Sequence, residues 1–411
     1  RHGVRFFAFS DMTSRRSFFK SLGLLGAGTL AHQTPAFSEP APPPTDVKIK
    51  DVKGLVFQDG YDRGVYVRVE ATDGTVGWGE SSANGIRAVQ AIINDLLARQ
   101  VVGQSPFDTE RLWEQMFWKN VDLGSGGLLT YAVAGVDCAL WDLKGKLLGV
   151  PVHNLIGGKF RDRVPAYAGF GIGGGAMPVD DAIRQAVKLG EKGFKTVKIR
   201  AQIREFNINP TNDPSLKYYT AIRKALPASV DLFLDPNEGY TGYRAIEVGK
   251  ALQDMGMKYY ESPCPNENHR DLATVVEALT IPVMGGEKCY TRWMVDDLIK
   301  IGKPDMINTD FIKSGGITEG LKICHIAGLH HKQIVPHNTK PMQGSAATIQ
   351  LLAAIPNCGP LVEYIEADKY KTICSIFDEG IEFTGGEMLL PKGNGLGLTI
   401  NEKRAKALFK Y

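Results

Sequence analysis

Cysteine is scarce and scattered in this chain. Six thiols, Cys138, Cys264, Cys289, Cys324, Cys358 and Cys374, are spread over 411 residues. No two form a CxxC pair, and none joins histidines at zinc-ligand spacing, so a zinc ribbon or finger is excluded. A chain this long buries an ample core without a disulfide framework, and the thiols read as small apolar residues. An excess of charge of one sign is also missing. Lysine plus arginine number 48 against 45 acidic residues, a formal net charge of +3. No basic stripe carries interleaved aromatics, so nothing points to a nucleic-acid partner. No apolar run is long enough to cross a bilayer. Glycine, in contrast, is plentiful at 46 residues, as expected where many tight turns join strands to helices. The remaining composition is globular, 43% hydrophobic and 23% charged. The length accommodates a barrel of roughly 250 residues plus a further domain.

The first 45 residues read as a separate segment. "TSRRSFFK" (13–20) is followed by the short, weakly apolar "SLGLLGAGTLA". A twin arginine, an aromatic pair and then a short apolar run resemble a twin-arginine export signal. Met12 stands just before the motif, which makes residues 1–11 an upstream extension or a misplaced start. Small residues in "TPAFS" offer a cleavage site near Ala36, and "SEPAPPPTD" reads as a Pro-rich linker. The expected location is outside the cytoplasmic membrane, in the periplasm or beyond.

Residues 46–163 read as an α+β unit. "GVYVRVEATDGTVGWGE" is a hairpin with Asp73-Gly74 at its turn. Helical patterns follow in "IRAVQAIINDLLARQVVG", "DTERLWEQMFW" and "GLLTYAVAGVDCALWDLKGKLLG". From residue 164 to 371 short apolar strands alternate with helices of 10–15 residues, the mark of repeated βα units and a parallel sheet. Eight strands are predicted: VPAYAGF, KTVKIR, VDLFLD, KYYES, PVMGGE, DMINTD, QIVPH and LVEYIE. Eight such units predict a closed barrel. Residues 372–411 are expected to return and pack on the N-terminal unit.

The last polar residues of these strands carry the chemistry. They are Lys198 and Arg200, then Asp235, Glu261, Glu287, Asp310, His337 and Glu363. From Asp235 on, the steps are 26, 26, 23, 27 and 26 residues, one βα unit each. The side chains therefore gather at the carboxyl end of the strands, where barrel enzymes place their active sites. Any one of these acids alone reads better as a turn former or a helix cap, and Asp235-Pro236 is a common turn opening. Three in phase read differently. Asp235, Glu261 and Glu287 would repel one another if buried together, and a hard divalent cation resolves that conflict. All-oxygen ligands favour Mg²⁺. Asp310 beside His337 fixes the imidazole tautomer and supports its charged form, which makes His337 the candidate general base. Lys198 and Arg200 flank one residue and point to the same face. Glu363 is the remaining acid, with Glu366 as its rival. Asn237, Ser314 and Lys340 are candidates for contact with a polyol chain. His330 and His331, in helix-end sequence, read as structural or surface residues.

These motifs resemble the enolase superfamily, in particular its mandelate racemase subgroup, over nearly all of the chain after the signal. "GWGES" and "AVAGVDCALWDLKGKLLGVPVHNLIGG" are similar to its capping-domain segments. "VKIR" stands where the family has Lys-x-Lys, and "TDFIKSGGIT" with "VPHN" carries the Asp–His dyad. The resemblance implies a modified (β/α)7β TIM barrel with an N-terminal α+β capping domain completed by the C-terminal segment. It implies Mg²⁺ on Asp235, Glu261 and Glu287, a small carboxylate substrate, and assembly into a homo-oligomer. Lys198, Glu363 and Asn237 are the implied substrate contacts. Capping loops around "QDGYDRG" and "SSANGIR" are implied to set specificity. Arg200 departs from the pattern. Arginine stays protonated at ordinary pH and is a poor base, so chemistry on one face of the substrate is favoured. The expected reaction is removal of the proton α to a carboxylate and then β-elimination of water from an acid sugar. A racemase, epimerase or cycloisomerase of the same superfamily is the second expectation, and a silent acid-sugar binding protein the third.

Overall fold

The computed structural model describes residues 46–60, 62–203, 208–366 and 369–411. The expected export signal and its linker lie outside the described residues.

Three antiparallel strands come first: β1 (Ile49–Asp59), β2 (Asp62–Ala71) and β3 (Val76–Ser81). The turn between β2 and β3 falls at Asp73-Gly74. Gly74 has a φ of 89°, and Asp73 Oδ1 accepts from Thr75 N at 2.9 Å. The Gly-Trp-Gly of β3 is explained by what lies on each face. A Cβ on Gly77 or Gly79 would stand 2.2 Å from the carbonyl oxygen of Ala139 or Gly135. The helix Leu128–Leu148 therefore lies directly on bare backbone. Trp78 faces the other way, stacks on Phe409 and donates from Nε1 to Glu402 at 2.8 Å.

The stretch expected as one helix over 86–103 contains a π-type segment, Ile92–Leu97, between the α-helical turns Ile86–Ala91 and Ala98–Val101. Val89, Ile93, Leu97 and Val101 are all buried. A strict four-residue spacing drifts around a helix of about 3.6 residues per turn, and the wider turn offsets that drift.

From residue 163 strands and helices alternate. β4 (Arg163–Gly171), β5 (Thr196–Arg200), β6 (Asp231–Asp235), β7 (Tyr260–Glu261), β8 (Val283–Gly285), β9 (Met306–Ile307) and β10 (Gln333–Ile334) pair in that order, all parallel. β11 (Val362–Tyr364) pairs with β4 from its other side, also parallel. Glu363 N donates to Pro336 O at 3.5 Å, so β11 also meets the chain leaving β10 and the barrel closes. A helix follows each of the first seven barrel strands, giving (β/α)7β. The ladders of β7 and β10 are short; Pro263 and Pro336, which lack an N–H, stand just beyond them.

The C-terminal segment divides, which corrects the expectation that all of it packs on the capping unit. The hairpin of β12 (Phe383–Thr384) and β13 (Glu387–Leu389) joins the barrel instead, with β13 antiparallel to β4. The stretches on either side of it reach the capping sheet: Thr372 N donates to Asp62 Oδ2 at 2.7 Å and the Phe377 ring lies 6.3 Å from Tyr66, while in the terminal helix Glu402–Phe409 the Phe409 ring lies 5.8 Å from Tyr66 and 6.0 Å from Phe57. Among the described residues, no helix is long and apolar enough to cross a membrane.

The capping unit is pinned to the barrel through buried polar groups. Asp137 accepts from Thr318 N at 3.0 Å and from Thr318 Oγ1 at 2.5 Å, and Trp141 Nε1 donates to the same hydroxyl at 2.8 Å. Gly316 (φ 89°) makes room: a Cβ there would stand 2.5 Å from Asp137 Oδ2. Burial pushes the Asp137 carboxyl up to about 7, against the hydrogen bonds from Thr318. A folded value above the unfolded one means that Asp137 contributes stability in full below its ordinary 3.8 and loses it as pH rises through about 7. Between about pH 5 and 8 the melting temperature is expected to fall, with Asp137→Asn flattening that slope; one proton sets a ceiling of about 1.4 kcal/mol per pH unit. Identical slopes in the two proteins would contradict this.

Candidate active site

A cavity of about 910 Å³ opens at the carboxyl ends of the barrel strands and is lined by Lys198, Arg200, Asp235, Glu287, His337 and Glu363 among others. All six are among the strand-end residues singled out in the sequence, and Asp235, Glu287, His337 and Glu363 belong to the series spaced by one βα unit. Glu261 and Asp310 are 1% and 2% exposed and stand behind Lys198 and His337. Ser82 and Asn84 of "SSANGIR" reach the cavity wall. Gln58 and Arg63, from the other capping loop, line a separate surface pocket.

Lys198 is the hub of the acids. It is 3% exposed. Its Nζ stands 3.1 and 3.2 Å from the two carboxylate oxygens of Glu261, 2.8 Å from Glu363 Oε1 and 4.0 Å from Asp235 Oδ2. Burial opposes the ammonium, yet Glu261 and then Glu363 hold it well above the ordinary lysine range. Asp235 satisfies both readings of its position. Its Oδ1 accepts from Asn237 N at 2.7 Å and forms the turn, while its carboxyl stays in the cavity wall. Burial pushes Asp235 and Glu261 upward, Lys198 opposes this, and neighbouring carboxylates add to the rise.

A donor set of three buried carboxylates on adjacent strands, each pair costly to ionise in a dry pocket, suits a hard divalent cation. As placed, Glu261 turns both oxygens to Lys198, and Glu287 gives Oε1 to Lys313 at 2.7 Å. Among the described residues no three acidic, histidine or cysteine side chains stand together as a formed metal cluster. The chemistry of the donor set fits the ion; the rotamers shown serve the lysines.

The dyad is close. His337 Nδ1 lies 2.7 Å from Asp310 Oδ2. Asp310 Oδ1 accepts from Ile312 N at 2.9 Å and Lys313 N at 3.2 Å. Burial disfavours the Asp310 carboxylate, yet the His337 hydrogen bond and the Lys313 ammonium hold it below its ordinary value. An ionised Asp310 can only accept, so Nδ1 donates and Nε2 is the nitrogen left for the cavity. Nε2 faces Glu287 Oε1 at 3.5 Å and Glu363 Oε2 at 3.8 Å. Burial opposes the imidazolium, while Glu287 more than any other charge raises it above the ordinary value.

The enolase C-terminal domain-like family matches residues 181–404, and the mandelate racemase / muconate lactonizing enzyme N-terminal domain matches residues 58–157. The chain belongs to the mandelate racemase family of the enolase superfamily. This mandelate racemase family member is 32% identical over 344 residues to the D-galactarolactone cycloisomerase of Agrobacterium fabrum, covering 82% of this chain and 89% of that one. It is 32% identical over 342 residues to the arabinonate dehydratase of Saccharolobus solfataricus, covering 82% and 88%. Its fold superposes with a TM-score of 0.82 on the mandelate racemase/muconate lactonizing protein from Paracoccus denitrificans solved with magnesium, at 32% identity over 88% of this chain and 98% of that one. The family implies a divalent metal.

Within this mandelate racemase family site the remaining candidates separate. Arg200 Nη2 donates to Asn237 Oδ1 at 2.9 Å, and both residues line the cavity. Glu366 is turned away to pair with Lys192, so Glu363 is the acid that faces the site. Ser314, expected as a polyol contact, is fully buried. Its hydroxyl donates to Asp310 O at 2.7 Å and stabilises the turn that carries the dyad acid.

Lys313 was not singled out by the strand-end pattern, because it lies beyond the strand. The turn after Asp310, in which Lys313 N donates to Asp310 O at 2.9 Å, curls it back into the cavity. There its ammonium stands 2.7 Å from Glu287 and 3.7 Å from Asp310, a bridge between the metal-ligand candidates and the dyad. Lys313→Met is expected to slow α-proton exchange in deuterium oxide by about 10- to 100-fold, the worth of one charged hydrogen bond. Lys313→Arg should recover part of the rate. Unchanged exchange in the methionine variant would remove the bridging role.

Proposed function

We propose that the protein is an acid-sugar dehydratase. The observation that carries this reading is a single competent base: the His337–Asp310 dyad lines the cavity, and Arg200, which cannot serve as a base, stands where the family often has a second lysine. His337 Nε2 takes the proton from the carbon next to the substrate carboxylate. The electron pair left behind becomes an enediolate, and Lys198, 2.8 Å from Glu363, is the preplaced positive charge beside it. Glu363, once it carries a proton, donates a hydrogen bond to the same carboxylate. Mg²⁺ held by Asp235, Glu261 and Glu287 supplies further positive charge to that carboxylate when bound. The C3–O bond then breaks, and the imidazolium of His337 returns its proton to the departing hydroxide. One water leaves, His337 is restored, and the enol tautomerises to a 2-keto-3-deoxy acid.

The cycloisomerase among the relatives supports a second reading in which the leaving oxygen belongs to a ring. Incubation with Mg²⁺ and a panel of aldonic and aldaric acids and their lactones, followed by NMR in deuterium oxide, tests both. A 2-keto-3-deoxy product from an open-chain acid supports dehydration. The same type of product from a lactone alone selects cycloisomerisation. Racemisation without any keto product overturns both.

A further inference from the structure

Among the described residues, Lys340 is a cation with no partner of its own. It lies three residues past His337 on the loop into the helix Gln343–Ala354, is 8% exposed, and lines the cavity. The other buried lysines of the wall are matched, Lys198 by Glu261 and Glu363 and Lys313 by Glu287, and the half-buried Lys288 is matched by Glu238. Among the described residues, no carboxylate stands within 4.0 Å of the Lys340 ammonium and no hydrogen bond engages it. Its strongest attractions, to Glu80 and then Asp310, act over longer distances. Those acids are engaged elsewhere. Glu80 Oε2 accepts from Gly344 N at 2.9 Å, and Asp310 serves His337 and the turn that follows it.

The direction of the Lys340 side chain is set by packing. A Cβ on Gly344 would stand 2.6 Å from Lys340 Cβ and 2.8 Å from its Cγ, so the stem lies on bare backbone. The N–H of that same glycine holds Glu80, the capping-domain acid at the end of β3. Burial without a partner lowers the Lys340 pKa. A buried ammonium with unmatched donors is costly until an anion meets it.

We infer that Lys340 anchors a second carboxylate, at the end of the substrate remote from the reacting one, and that Glu80 positions it. The inference rests on the acid-sugar reading above. Lys198 stands on β5, and Lys340 follows β10, which β4 and β11 separate from β5 on the closing side of the barrel. A chain carrying a carboxylate at each end would lie between the two lysines and pass His337. The ammonium of a lysine suits a carboxylate as a point charge. The substrate class is thus an aldaric acid, or its monolactone, rather than an aldonic acid.

Two six-carbon acids that differ only at C6, galactarate and D-galactonate, test this by isothermal titration calorimetry with Mg²⁺ present. Wild-type protein is expected to bind galactarate about 10-fold or more tighter than galactonate. Lys340→Met should weaken galactarate about 10- to 100-fold and leave galactonate within about 2-fold. Lys340→Arg should keep the preference, and Lys340→Gln carries the methionine expectation should that variant fail to fold. A wild-type protein that binds the acids equally, or neither, or a methionine variant that keeps the wild-type ratio, overturns the anchor. Deuterium exchange at C2 reads the reaction separately. A retained binding preference without exchange or product removes the dehydratase reading and leaves the anchor. Exchange without the preference does the reverse.

Discussion

His337→Asn is expected to lower α-proton exchange by about 10³-fold or more, within the range for loss of a positioned general base. Asparagine keeps a polar side chain near Asp310 but has no nitrogen that can take up a proton. Deuterium incorporation at C2 is the measurement, because it reads proton removal whether or not water is subsequently lost. Asp310→Asn is the companion. It leaves the imidazole in place but replaces the acceptor-only carboxylate 2.7 Å from Nδ1 with an amide whose N–H2 can donate to that nitrogen, so the ring holds its proton on Nε2, the nitrogen that should take one from the substrate. Both variants should lose exchange while melting near the wild-type temperature. Exchange that survives in His337→Asn would transfer the base role to another group, and Lys198 would be the first to test.

The second large effect is at Lys198. Lys198→Met should lower kcat/KM by about 10³-fold, since it removes charge placed where the enediolate develops. It should also destabilise the fold by about 3–5 kcal/mol, because a buried carboxylate cluster loses its central cation. The two consequences separate by experiment. Mg²⁺ should restore melting temperature in the variant more than it does in wild type, while kcat stays low. A variant with wild-type kcat/KM would show that Lys198 serves only to neutralise Glu261 and Glu363.

Much of this site was legible in one dimension. A βα unit has a nearly constant length, so residues at equal steps along the chain arrive at equal heights in the barrel. The dyad was legible for the same reason, since Asp310 and His337 each stand three residues past successive strands, β9 and β10. Ser314 and Lys313 show where that argument stops. They are neighbours in sequence, beyond the strand, and only the turn after Asp310 decides that the hydroxyl folds inward on the backbone and the ammonium into the cavity. The C-terminal hairpin escaped for a related reason. Its few apolar residues fit a capping sheet or a barrel edge equally well, and the backbone pairing with Arg163–Pro165 settles the matter.

By itself the sequence determined the class of fold, the ring of strand-end acids and the dyad, because chain length per repeat and residue type are covalent properties. The tertiary structure alone decided which anion meets which cation. Glu261 faces Lys198, Glu287 faces Lys313, Glu366 leaves the site for Lys192, and Lys340 is unmatched among the described residues. Electrostatic energy in a dry cavity changes steeply over a few ångströms, and distances of that size arise only when separate elements pack.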